Sequence, residues 1–106
     1  MKVRVSELQG EALNWVVEEC EQFVEDEFEP SENWADGGPI IERERISIED
    51  CQDGAGLYWE ATRIEPPAVS EARGPTPLVA AMRCYVASVL GAEVEVPDEL
   101  IEVKSC

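Results

Sequence analysis

The spacing of apolar and polar positions along the chain changes several times, and each change predicts an element. Val3 and Val5 alternate with Lys2 and Arg4, the two-residue period of a short, half-buried strand. Ser6 and Gln9 have the spacing of a capping box, although Gly10 weakens the first turn and moves the helix proper to that point. From there Ala12, Leu13, Val16, Val17 and Cys20 recur at helical spacing and leave Glu11, Asn14, Glu18 and Glu19 on the other side, which predicts an amphipathic helix over 10–21. Residues 18–32 carry eight carboxylates and no basic side chain, so the helix should fray there into a loop held by Phe23, Val24 and Phe28. Pro30-Ser31 offers a new start, with Ser31 capping a short turn that presents Trp34, and Gly37-Gly38-Pro39 then breaks the chain.

Residues 40–45 read either as one helical turn led by Pro39 or as the lead-in to a strand. Ile46 and Ile48 alternate with Ser47 and Glu49 and favour a strand from about Arg45. A turn at 51–54 leads to a return strand in which Leu57, Trp59 and Ala61 alternate with Tyr58, Glu60 and Thr62, giving an antiparallel hairpin. Residues 64–75 hold three prolines and a glycine without periodicity and read as a long loop. Thr76 caps, and Pro77 opens, a helix whose apolar face is Leu78, Ala81, Met82, Tyr85, Val86, Val89 and Leu90, ending at Gly91. Val94 and Val96 predict a last strand, and 97–106 is a tail in which Leu100 and Ile101 can dock back. The sum is an α+β fold: a small antiparallel sheet of about four strands with two helices packed on one face, formed by one domain over 1–106.

Composition adds a strong constraint. The chain carries 24 acidic and 8 basic side chains, for a net charge of −16. That balance repels phosphate backbones and anionic lipid, so direct contact with nucleic acid or a membrane surface is not expected. The excess is uneven, −11 over residues 1–50 and −5 over 51–106. The first residues show no apolar leader and no run approaches the roughly 20 residues of a membrane span, so a cytoplasmic protein is expected.

Four cysteines, 20, 51, 84 and 106, stand far apart without a CxxC pair, and there is no histidine. A metal centre is therefore not expected, and neither is a cofactor. Cys20 and Cys84 fall within apolar helical patterns and read as buried free thiols. Without imidazole a serine or cysteine nucleophile lacks its usual base, so the chain reads as a non-enzyme.

Three segments carry a family resemblance: Val-Ser-Glu-Leu-Gln-Gly-Glu-Ala-Leu-Asn-Trp at 5–15, Pro-Ser-Glu-Asn-Trp-Ala-Asp-Gly-Gly-Pro-Ile-Ile-Glu-Arg-Glu at 30–44, and Gly-Pro-Thr-Pro-Leu-Val-Ala-Ala-Met-Arg-Cys-Tyr-Val-Ala-Ser at 74–88. Their order and spacing resemble the NinX family of small proteins from lambdoid phages and prophages. The resemblance implies a phage accessory protein acting in the infected bacterial cell, and it brings no catalytic residue or substrate with it.

Two constellations could carry function. Gly74 and Thr76 at a helix start, with Arg83 and the segment of Trp34, Gly37, Gly38, Pro39 and Arg43, outline a pocket for a small anionic or nucleotide-like ligand. Free N–H groups and guanidinium forks would hold the anion, and Trp34 or Trp59 would stack on a base. The plainer alternative makes these residues a cap, turn glycines and surface partners for surplus carboxylates. The second constellation is the acidic run, where Glu25, Asp26 and Glu27 could contact a host or phage protein, as a protein-interaction module or a mimic of DNA phosphates; a solvated face is the plainer reading. So small a domain also admits a homo-oligomer.

Overall fold

The computed structural model describes residues 1–21, 28–54, 56–65 and 68–100. In chain order the elements are β1 (Lys2–Arg4), α1 (Gly10–Cys20), α2 (Trp34–Glu44), β2 (Ser47–Asp53), β3 (Gly56–Glu65), β4 (Ala68–Gly74), α3 (Pro77–Leu90) and β5 (Glu93–Glu95). Short 3-10 turns follow β1 at Val5–Glu7 and β5 at Asp98–Leu100. The strands form two antiparallel sheets, β2-β3-β4 and β1-β5, rather than one. The α+β reading therefore holds, with three helices in place of two.

α3 is the centre of the molecule. Every residue from Leu78 to Val86 is buried, so this helix is covered on all sides rather than along one stripe. One side meets the three-stranded sheet, and the other meets α1 and α2. The sequence reading expected the 10–21 helix on the sheet as well; α1 instead lies against α3, adding a layer. Val89 and Leu90, expected on the buried face, are about half exposed at the last turn of the helix.

Small side chains let α3 approach the sheet closely. The register sets Ile48, Ala61 and Ala72 in one row and Trp59 opposite Gly74, all facing the helix. A Cβ on Gly74 would stand 2.7 Å from Ala80 N, so only glycine lets β4 cross the first turn of α3. Cys84, fully buried, donates its thiol to Ser70 O at 3.4 Å. Burial pushes both Cys84 and Cys20 up to about 11, which keeps them as thiols.

Five local expectations are corrected. The Ser6/Gln9 capping box does not form: Ser6 lies in the 3-10 turn, and Gln9 precedes α1 without a side-chain cap. Gly37, Gly38 and Pro39 do not break the chain but lie inside α2, whose cap is Asn33, accepting from Ala35 N at 2.9 Å, rather than Ser31. Pro39 removes only a bond to the carbonyl of exposed Ala35, which water can satisfy. α2 ends at Arg45 in the left-handed region (φ 54°), with Ile46 N donating to Ile41 O at 3.0 Å. Finally, β2 continues through the expected 51–54 turn to Asp53, and the expected 64–75 loop is largely strand β4. β4 is an edge strand, and its alternation is one of small residues (Ser70, Ala72, Gly74) against Val69, Glu71 and Arg73, invisible to a search for large apolar side chains.

Asn14, placed among the exposed positions by its helical phase, is 8% exposed. Its Oδ1 accepts from Ser31 N at 2.9 Å and Ser31 Oγ at 2.6 Å. This pair ties the Pro30-Ser31 segment to α1 and so fixes where α2 begins. Leu100 packs against the core. Ile101 and the rest of the tail, Phe23, Val24, and the acidic triplet Glu25, Asp26 and Glu27 lie outside the described residues, so the protein-interaction reading of that triplet finds no geometry here.

Candidate functional site

The tie between Asn14 and Ser31 brings the starts of all three helices to one groove of about 850 Å³, in the size range of small-molecule sites. Gln9, Gly10 and Glu11 line it from α1, Trp34 from α2, and Thr76, Pro77 and Leu78 from α3. Each start exposes backbone N–H groups that no earlier turn can satisfy. At α3, Thr76 Oγ1 accepts from Val79 N at 3.1 Å and Pro77 has no N–H, which leaves Leu78 N–H as the remaining donor of the turn. At α1 no side chain caps the helix. Gly10 sits at φ 58°, a conformation strained for any side chain, and through it the extended chain at Gln9 turns directly into the helix.

Trp34 is 55% exposed and stands at the first position of α2, a flat apolar wall beside the donors. Three helix starts place partial positive charge on one groove in a chain of net charge −16. Glu11 and Glu32 also line it and no Lys or Arg does, so backbone N–H groups are the donors that offset the negative field there. Such an arrangement can hold a small anion by backbone donors while an aromatic ring stacks on Trp34.

The structure divides the residues singled out from sequence. Trp34 and Thr76 share this groove. Gly74 and Arg83 line a separate one on the other side of the Gly74–Thr76 turn. Gly37 is buried beneath Pro30 and Leu78, Gly38 has open space where a side chain would be, and Pro39 is exposed on α2. Trp59 lies on the helix-facing side of the sheet, packed against the core. What sequence reasoning missed is the α1 contribution of Gln9 and Gly10; the signal was present in Gly10, a glycine at a helix start.

Arg43 belongs to neither groove. Its Nη1 and Nη2 fork onto Glu21 Oε1 and Oε2 at 2.9 and 2.8 Å, its Nε donates to Glu44 Oε2 at 2.7 Å, and Arg63 Nη2 meets Glu44 Oε1 at 3.0 Å. Tyr85 OH donates to Glu21 Oε2 at 2.5 Å. The network joins the end of α1 to α2, α3 and β3, a structural use of the arginine. Arg43 holds the Glu21 carboxyl below its ordinary value of 4.5, with the Tyr85 hydrogen bond acting the same way and burial opposing both. Burial, then Glu21, raises Tyr85 above 10. A depressed carboxyl contributes stability that is complete above the unfolded value and disappears as pH falls through the folded one. The wild-type chain should therefore lose stability below about pH 4.5 more steeply than Glu21→Gln, as read by melting midpoint against pH. Parallel acid limbs would show that the fork contributes nothing.

Among the described residues no group of three or more His, Cys, Asp or Glu side chains could hold a metal ion, and no helix is long and apolar enough to cross a membrane. A family model described as "Bacteriophage P22, NinX" matches residues 22–89, which span α2, the three-stranded sheet and nearly all of α3. Trp34 and Thr76 lie inside the matched segment, and Gly10 lies outside it. No curated protein matches the chain.

Proposed function

The chain belongs to the bacteriophage P22 NinX family and is a phage accessory protein; from that premise we propose that it is a non-enzymatic binder of a small anionic or nucleotide-like ligand, acting in the cytoplasm of the infected cell. The observation that carries this reading is the convergence of three helix starts and Trp34 on one groove. A phosphate or carboxylate group sits against the N–H groups of α1 and α3, and a planar ring covers Trp34. Sequestering a small signal of host defence is a role that needs affinity and no chemistry.

Binding without turnover is favoured by the side chains the protein has to offer. The sequence has no histidine, and the thiols of Cys20 and Cys84 are pushed away from the reactive thiolate. Glu11 and Glu32, the carboxylates that line the groove, are exposed rather than enclosed.

Thermal shift against a panel of nucleotides, with mass spectrometry of protein purified from infected cells, tests the proposal. A ligand at one hundred times its Kd should stabilise the fold by about 2.7 kcal/mol. Trp34→Ala removes an exposed side chain, so it should leave the unliganded melting midpoint nearly unchanged and abolish the ligand-induced rise. If no nucleotide or co-purified anion stabilises the wild-type chain, the reading fails.

A further inference from the structure

A second groove, of about 620 Å³, lies between the 3-10 turn at Val5–Glu7, the tip of the β2-β3 hairpin and the end of β4. Arg83 lines it from the middle of α3 while only 9% exposed. Its Nε donates to Leu8 O at 2.7 Å and its Nη1 to Arg73 O at 2.8 Å, which fixes the guanidinium plane. Both acceptors are neutral carbonyls. Among the described residues no carboxylate lies within ion-pair distance of Arg83, and its Nη2 has no hydrogen-bond partner. A chain with 24 acidic side chains could pair a cation readily, yet Arg83 meets none of them, and Nη2, which is not sealed from solvent, is its one nitrogen without a protein acceptor.

A second arginine lines the same groove. Arg73 lies over the Tyr58 ring at 4.9 Å, and its contact with Glu60 is a long, exposed 3.4 Å, too weak to hold it. Ser6 adds a hydroxyl. Asp53 and Glu71 also line the groove and, with the net charge, oppose an extended polyanion. A small oxyanion that presents two oxygens to one guanidinium edge meets Arg83 without running along those carboxylates.

We infer that this groove is a second binding site, separate from that of Trp34, for the carboxylate or phosphate group of a small molecule, gripped by the open edge of Arg83 and closed by Arg73. Glycine at 74 brings β4 across α3 closely enough for the Arg73 carbonyl to orient Arg83, so the strand that supplies the exposed arginine also sets the buried one.

Side-chain ¹⁵N NMR of the intact protein tests this, with inorganic phosphate and, separately, acetate titrated at constant ionic strength. The Arg83 Nε–H resonance should shift saturably with at least one probe, together with the backbone amides of Tyr58 and Gly74. Saturation by phosphate alone identifies a phosphorylated ligand, and by acetate alone a carboxylate. Arg73→Gln, at an exposed position outside the core, should weaken the midpoint by roughly three- to tenfold and leave the melting temperature unchanged. Trp34→Ala should leave that midpoint as it was. A linear drift identical in wild type and Arg73→Gln overturns the assignment, and so does a midpoint untouched by Arg73→Gln or one that moves with Trp34→Ala.

Discussion

Arg83→Ala is expected to lower the unfolding free energy by about 3 kcal/mol, read as a fall in melting midpoint of roughly 15 °C for a domain of this size. Two charge-assisted bonds disappear, and the carbonyls of Leu8 and Arg73 lose their partners inside the protein. These bonds join the start of the chain, the end of β4 and the centre of α3, three segments that share no secondary-structure bonds. One effect opposes the loss: burial lowers the Arg83 pKa, so the folded state carries a desolvated cation that the variant no longer has. Arg83→Met separates the contributions, because it restores most of the stem's packing and none of the donors. If hydrogen bonding dominates, Met should recover less than half of the loss, and Arg83→Lys, a point donor that cannot fork, should fall between wild type and Met. A Met variant as stable as wild type would mean that desolvation cancels the two bonds, leaving the charge itself to be explained by the groove it lines.

The sequence was most legible where large apolar residues set a period. Thr76, Pro77 and the run to Gly91 announced α3, and Ala12 to Cys20 announced α1, because burial against another layer demands that spacing. Legibility failed where a neighbour overrode local propensity. The caps at Asn33 and Arg45 do not by themselves account for a helix through Gly37, Gly38 and Pro39; Ile40 is buried in the core and Gly37 fits beneath Pro30, whose neighbour Ser31 is tied to Asn14 of α1. β4 was hidden for a related reason. Its inward residues are small because α3 is close, so closeness, a tertiary fact, erased the apolar alternation that would have revealed the strand.

The candidate site shows the same division. Residue types that bind anions were identifiable, but grouping them required knowing which helix starts meet. Trp34 and Thr76 are joined by that geometry, Gly74 and Arg83 are turned to the opposite side of the same turn, and Arg43 is taken up by Glu21 and Tyr85. An arginine's neighbours in sequence say little about which carboxylate or carbonyl it finds. In a chain this acidic, Arg43 finding a carboxylate is the expected outcome and Arg83 finding none is the informative one.

The two adjacent glycines of α2 provide the sharpest test of that tertiary argument. A Cβ on Gly37 would fall on the carbonyl oxygen of Pro30 and stand 2.7 Å from Leu78 Cδ2, whereas a Cβ on Gly38 meets nothing within 4 Å. Both residues have ordinary helical backbone, so intrinsic propensity favours alanine at each by about 0.5–1 kcal/mol. Gly38→Ala should show that gain. Gly37→Ala should instead lose about 2–3 kcal/mol, because the clash is with backbone held by the Asn14–Ser31 bonds and cannot be relieved by a rotamer change. Displacing Pro30 would also spread α2 from α3 at Leu78 and open the groove beside Trp34, so Gly37→Ala should weaken ligand-induced stabilisation as well as the fold. Asn14→Ala in the same background should recover part of the Gly37→Ala loss by freeing the Pro30 segment to move, a coupling that a double-mutant cycle measures directly. Equal effects of alanine at 37 and 38 would mean that the helix tolerates the pair for local reasons alone, and that the contact with Pro30 does not position the site.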